Sequence, residues 1–366
     1  MTRLIALLLL SITLVRPGLA AEGAPADPAR PVALHGALKD DAEAWSAYRA
    51  RFITETGRVV DTGNGGISHS EGQGYAMLLA VAAGDRAAFE RVWGWTRANL
   101  MVRDDELMAW RWEPGRRPAV ADTNNASDGE LLVAWALTEA AEAWGDVAHR
   151  VAARRVAVEV ARKVILSRTA FGPLILPGVQ GFAAEDRDDG PVVNPSYWVF
   201  PAFGRLALVA PEFDWAGLSR SGLDLLAGAR FGPAGLPTEW VSAKGPQLRP
   251  ADGFPAVFSY NAVRIPLYLA WAGVGERDHY APFLALWGGR GRAGLPVVEA
   301  ATGKRTEWMA ESGYGAIAAL AACAGAGTPL PRDFAASRAG ENYYPATLHL
   351  LSLAAARMRY ASCARP

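Results

Sequence analysis

Ser68-His69-Ser70-Glu71-Gly72-Gln73-Gly74-Tyr75-Ala76-Met77-Leu78-Leu79 passes from a polar turn to an unbroken apolar run, and its reading decides the fold. Ser70 followed three residues later by Gln73 has the spacing of a capping box. A helix is therefore expected from Glu71 to Val81, with Tyr75 one turn below Glu71 on the same face. Gly72 and Gly74 weaken that first turn by about 1 kcal/mol each relative to Ala. Such a cost suggests that something approaches the backbone closely. The positive end of the helix favours an ionised Glu71. A proton donor at neutral pH needs burial or a second carboxylate to outweigh that field. On these residues alone Glu71 is either an acid capping a helix start, the commoner use, or a proton donor.

A second stretch has the same build. Ala126-Ser127-Asp128-Gly129-Glu130-Leu131-Leu132-Val133-Ala134-Trp135 follows the polar run Asp122-Thr123-Asn124-Asn125. Ser127 and Glu130 form a second apparent capping box, which sets Asp128 at another helix N-terminus. Two acids at equivalent places on separate helices can face one another across a cleft.

Outward from these two starts, helical spacing of apolar residues dominates, over 41–54, 71–81, 87–100, 128–144, 147–166, 218–229, 264–272, 312–324 and 346–358. Strand-like alternation is scarce. Segments rich in Gly, Pro, Asn and Asp separate the helices, notably 61–66, 114–125, 185–195 and 232–255, and loops this long in a compact domain are usually functional. The pattern fits an all-α solenoid or a closed toroid of paired helices. No fixed-period repeat supports the solenoid, which favours the toroid.

The chain opens with Arg3, an apolar run from Leu4 to Val15 and the small residues Gly18, Ala20 and Ala21, the order of a secretory signal peptide over 1–21. No later stretch is apolar enough for a membrane helix. Beyond the short Pro/Ala stretch 24–31, residues 22–366 contain no linker-like break and are expected to form one large domain. Losing Arg3 and Arg16 changes the balance from 37 basic against 37 acidic residues to 35 against 37. That near-neutral chain has no electrostatic footprint for nucleic acid. With five His and two Cys, no Cys/His metal cluster and no cofactor are expected. Cys323 and Cys363 either pair in an oxidising compartment or stand as two buried thiols.

The run Ser70-Glu71-Gly72-Gln73-Gly74-Tyr75-Ala76-Met77 resembles the acid-bearing motif of family 8 glycoside hydrolases, and Ala126-Ser127-Asp128-Gly129-Glu130 resembles that family's Asp signature. Asn194-Pro195-Ser196-Tyr197, Ser259-Tyr260-Asn261-Ala262-Val263-Arg264 and Tyr343-Tyr344 extend the likeness over nearly all of the mature chain. The resemblance implies an (α/α)6 barrel whose long loops form an open substrate cleft, and an inverting endo-β-1,4-glucanase of the kind associated with bacterial cellulose synthesis. Glu71 would be the general acid. Asp128 would lie at the central subsite and could serve as base. An inverting pair holds its carboxyls about 6.5 to 9.5 Å apart, leaving room for the attacking water.

One position departs from the family. Well-studied members carry Asp where this chain has Asn261, and that Asp is their base. An amide has no basic site near neutral pH. Asn261 is therefore expected to position water while another acid, Asp128, Glu185, Asp186, Asp188, Asp189, Glu239 or Asp252, takes the proton. Expected sugar-binding residues are Tyr75, Trp110, Trp112, Asn124, Asn194, Tyr197, Tyr260 and Arg264, whereas Trp93, Trp95, Trp135 and Trp144 fall in helical patterns and are expected to pack. The implied partners are cellulose chains and the cellulose synthase machinery, with the protein itself a periplasmic or secreted monomer. Alternatives are a hydrolase of chitosan, xylan or mixed-linkage glucan, and a glucan-binding assembly protein with weakened catalysis.

Overall fold

The computed structural model describes residues 33–288, 294–338 and 340–364, so the expected leader lies outside the described residues. Eleven α-helices occur among them: α1 (Ala42–Phe52), α2 (Ser70–Ala83), α3 (Arg86–Asn99), α4 (Ser127–Trp144), α5 (Val147–Lys163), α6 (Phe200–Leu206), α7 (Trp215–Gly228), α8 (Arg264–Ala272), α9 (Arg277–Trp287), α10 (Ser312–Ala326) and α11 (Tyr343–Arg359). The expected helices are all present within a few residues of their ends. The short α6 and α9 were not foreseen. Pro201 in the first turn of α6 and Pro282 inside α9 punctuate their patterns as a turn would.

α2 packs on α4, α4 on α6, α6 on α8, α8 on α10, α10 on α11, and α11 returns to α2, closing a ring of six. Burial follows from that position. Every residue of α4 from Ser127 to Ala141 is buried, whereas the outer α3 and α5 bury one face. α1, α3, α5, α7 and α9 lie outside the ring. This is the (α/α)6 barrel. Its sixth outer position, between α10 and α11, carries turns among the described residues, where Gly327, Pro329 and Pro331 discourage a helix.

The two kinds of connection differ in length. Inner helices pass to outer ones through tight turns at 84–85 and 145–146, made possible by Gly84 at φ 73° and Gly145 at φ 66° in the left-handed conformation. Outer helices return to inner ones through the long segments 53–69, 100–126, 164–199 and 229–263. Those loops therefore all gather at one end, the end where the inner helices begin. Short antiparallel ribbons brace them, Ser68–His69 with Arg111–Trp112 and Val192–Val193 with Val241–Ser242. Cys323 and Cys363 form a disulfide, which decides between the two readings of that pair.

Candidate active site at the N-termini of the inner helices

Glu71 and Asp128 occupy the second positions of α2 and α4. The expected capping boxes are absent, and the reason is tertiary. α2 is capped by His69, whose Nδ1 accepts from the Gly72 amide at 3.0 Å. Gln73, fully buried, instead accepts from the Val59 amide at 2.7 Å and donates to Thr96 Oγ1 at 2.9 Å, tying the preceding loop to α3. At α4, Ser127 Oγ donates to the Leu176 carbonyl, and Glu130 accepts from the Met108 amide and from Asn125 Nδ2. Buried polar groups must find partners, and the folded loops offer better ones than the local turn.

The glycines mark a close approach of one helix to the other. A Cβ on Gly129 would meet Ser70 Oγ at 2.1 Å, and one on Gly74 would meet Leu132 Cβ at 2.6 Å. α2 and α4 thus cross with their first turns in contact, which brings both acids to one place.

Arg264, the first residue of α8, lies between them with no exposed surface. Its Nη1 is 2.8 Å from Glu71 Oε2 and 3.0 Å from Asp128 Oδ2. Its Nη2 donates to Ser196 Oγ and to Asn261 Oδ1, each at 3.0 Å. Nη1 also reaches the Tyr75 hydroxyl at 3.3 Å, which bonds Tyr268. Two carboxyls share this one guanidinium, so their summed charge when ionised exceeds its single positive one. Burial, then the Glu71 charge, push the Asp128 carboxyl up to about 7 against the pull of Arg264. Glu71 Oε1 is buried and makes no hydrogen bond, so this oxygen is left for an incoming group.

Several expected sugar contacts are instead part of the frame. Tyr75, Asn194 and Arg264 have no exposed surface, so they support the acids from below and do not line the cleft. Asn194 Oδ1 accepts from Ser196 N and Oγ, although its Nδ2 remains without a partner. Asn124 is committed to stitching loops, donating to the Gln180 carbonyl and accepting from the Asn125 amide. Trp112 packs edge-on against Trp95 beneath Arg58. Trp110, Tyr197 and Tyr260 keep exposed surface at the loop end and remain candidate platforms. Trp93, Trp95 and Trp135 are buried and Trp144 half-buried, as packing residues should be.

The cluster also contains residues that the pattern of the sequence did not single out. Tyr268 stands one turn after Arg264 on α8, and that spacing was the available signal. Trp240, in the 229–263 loop, stacks between Phe182 at 5.5 Å and Phe254 at 4.5 Å. No periodicity marks those rings, because they come from two loops. Elsewhere, Glu90, Asp146 and His149 group closely enough to suggest a cation site, but Arg86 pairs with both carboxylates and already supplies the positive charge. A cavity of about 670 Å³ lies against α10, bordered by Trp287, Trp308, Ala319 and Phe334, where the sixth outer position carries turns among the described residues. None of the expected site residues lines it.

Known proteins share this fold. The sequence profile of Glycosyl hydrolases family 8 matches residues 32–357. A probable endoglucanase of Novacetimonas hansenii is 37% identical over 336 residues, covering 91% of this chain and 93% of its own length. The endo-beta-1,4-glucanase CMCax of Acetobacter xylinum superposes with a TM-score of 0.79 at 35% identity, over 88% of this chain and 99% of that one. Endoglucanase Cel10 of Klebsiella pneumoniae gives 0.76 at 35% identity, over 86% and 98%. With the family profile matched over residues 32–357 and two acids gathered on one buried arginine at the loop end of an (α/α)6 barrel, the chain belongs to glycosyl hydrolases family 8.

Proposed function

We propose that this glycoside hydrolase is an endo-β-1,4-glucanase that cleaves its chain with inversion, Glu71 serving as the general acid. The observation that carries the reading is the Glu71 side chain itself. One carboxyl oxygen rests on Arg264, the other is buried without a partner, and the side chain as a whole is 18% exposed at the end of the barrel where the long loops gather. A carboxyl so placed can meet a glycosidic oxygen while the rest of its surroundings stay dry. The endoglucanases among its relatives support a β-1,4-glucan as substrate over chitosan or xylan. The resemblance to enzymes of cellulose assembly supports export through the 1–21 leader and action as a monomer beside the cellulose synthase machinery. No helix among the described residues is long and apolar enough to cross a membrane.

The test is a substitution and a stereochemical assay. Glu71→Gln is expected to fold, to bind β-glucan and to lose roughly 10²-fold or more of its turnover on carboxymethylcellulose, the usual contribution of a general acid. Proton NMR of the first products should show the α-anomer. A near-normal rate in Glu71→Gln would remove the acid from this position, and a β-anomer appearing first would exclude single displacement.

A further inference from the structure

An inverting cleavage needs a base for the water, and Asn261 cannot be that base. Asp128 is poorly placed for it. Its Oδ2 and Glu71 Oε2 both lie within 3.0 Å of one arginine nitrogen, so these oxygens are less than about 6 Å apart, below the spacing that leaves room for water. Its other oxygen accepts from the Gly129 amide, and the residue is 1% exposed. Of the acids of the 185–189 loop, Glu185 and Asp188 are exposed, and the other two are engaged. Asp186 accepts from the Gly181 amide, and Asp189 is held between Arg187 and the Asp252 amide. Asp252 pairs with Arg249 at the surface.

Glu239 is different. It is half-buried, and its Oε1 accepts from the Asn261 amide at 2.7 Å. The Asn261 side chain lies close to the same carboxylate, while its Oδ1 accepts from Arg264 Nη2 at 3.0 Å. Glu239 is thus joined to the acid cluster through Asn261 and Arg264, and does not rest on the arginine nitrogen that Glu71 and Asp128 share. This arrangement also explains the amide at 261, because Asp there would set two carboxylates in contact. We propose that Glu239, oriented by Asn261, is the catalytic base of this chain. Its carboxylate takes a proton from water as the water oxygen bonds the anomeric carbon. The glycosidic bond breaks with its electron pair leaving on the departing oxygen, which receives the Glu71 proton. Glu239 then returns its proton to solvent and Glu71 regains one. Burial pushes the Glu239 carboxyl above its ordinary value, with Asn261 and Arg264 offsetting part of the shift, which suits a base acting near neutral pH.

The assignment rests on the hydrolase reading above, and the experiment separates the two. Glu71→Gln, Glu239→Gln, Glu239→Ala and the wild type are assayed on carboxymethylcellulose and on a dinitrophenyl β-cellotrioside, whose leaving group needs no proton. Glu71→Gln should recover on the activated substrate. Glu239→Gln should lose roughly 10²-fold to 10⁴-fold on both, with its melting temperature and glucan binding retained. Azide should rescue Glu239→Ala by forming the α-glycosyl azide. An active wild type beside an unimpaired Glu239→Gln overturns the base assignment alone, whereas a wild type inactive on every β-glucan overturns both readings. If the Glu239 variants do not fold, Asn261→Asp decides. It should move the acid limb of kcat/KM upward by bringing a second carboxylate against Glu239, and an unmoved limb overturns the proposal.

Discussion

At Glu130 the fold holds a carboxyl in a place that disfavours its charge. Its oxygens accept from the Met108 amide and Asn125 Nδ2, yet burial pushes it from an ordinary 4.5 up to about 8. Between those two values the folded protein binds more protons than the unfolded chain, so this residue makes stability fall as pH rises from about 4.5 toward 8. Glu130→Gln carries no titration but turns an NH2 toward one of the two donors, at a cost of about 1–3 kcal/mol. Melting temperatures should therefore show the variant well below the wild type at pH 5, with the gap closing toward pH 8. A constant gap would mean that Glu130 does not titrate in this window. Arg264 shows the same principle with opposite outcome. Its buried charge is kept because two carboxyls, a serine and an asparagine satisfy it.

Among the elements, the crossing of α2 and α4 matters most to the site, because it sets the distance between Glu71 and Asp128. Gly74 and Gly129 permit it, each lying where a methyl group would strike the facing helix. Local propensity argues the other way, since Ala in place of Gly74 would strengthen an isolated helix by about 1 kcal/mol. Overpacking at a contact this tight costs about 1–3 kcal/mol, so Gly74→Ala should be destabilising on balance. Urea unfolding measures the sign. A rise in midpoint would show that the helices part without penalty, and activity should then be unaffected as well.

The whole molecule is a ring closed by α11 returning to α2, and its last helix pair is fastened covalently. Cys323, in the last turn of α10, is joined to Cys363 across a sequence separation of 40. Closing a loop of that length stabilises a domain by roughly 2–4 kcal/mol. Unfolded without reductant, the protein should titrate no free thiol, and Cys323→Ser should melt earlier with turnover at 25 °C unchanged, since the bond lies toward the end of α10 away from the acids. Two free thiols in the purified protein would count against the pairing.

Nine of the eleven helices and the two acid-bearing starts were legible along the chain because each depends on local spacing, and the (α/α)6 toroid was legible through the family likeness. Apolar residues every three or four positions mark a helix whatever it packs against, and the family likeness of the Glu71 and Asp128 segments needs no coordinates. The caps were misread, since Gln73 and Glu130 satisfy backbone groups far away in sequence, and no local pattern carries that information. Tyr75 and Asn194 passed as sugar contacts for the same reason, as exposure is a property of the assembled loops. The sequence alone determined which chemistry the chain carries and the ring that presents it. Tertiary structure alone decided that Arg264 joins the acids and that Asn261 turns toward Glu239, because residues separated by up to about two hundred positions meet only when the long loops gather at one end of the barrel.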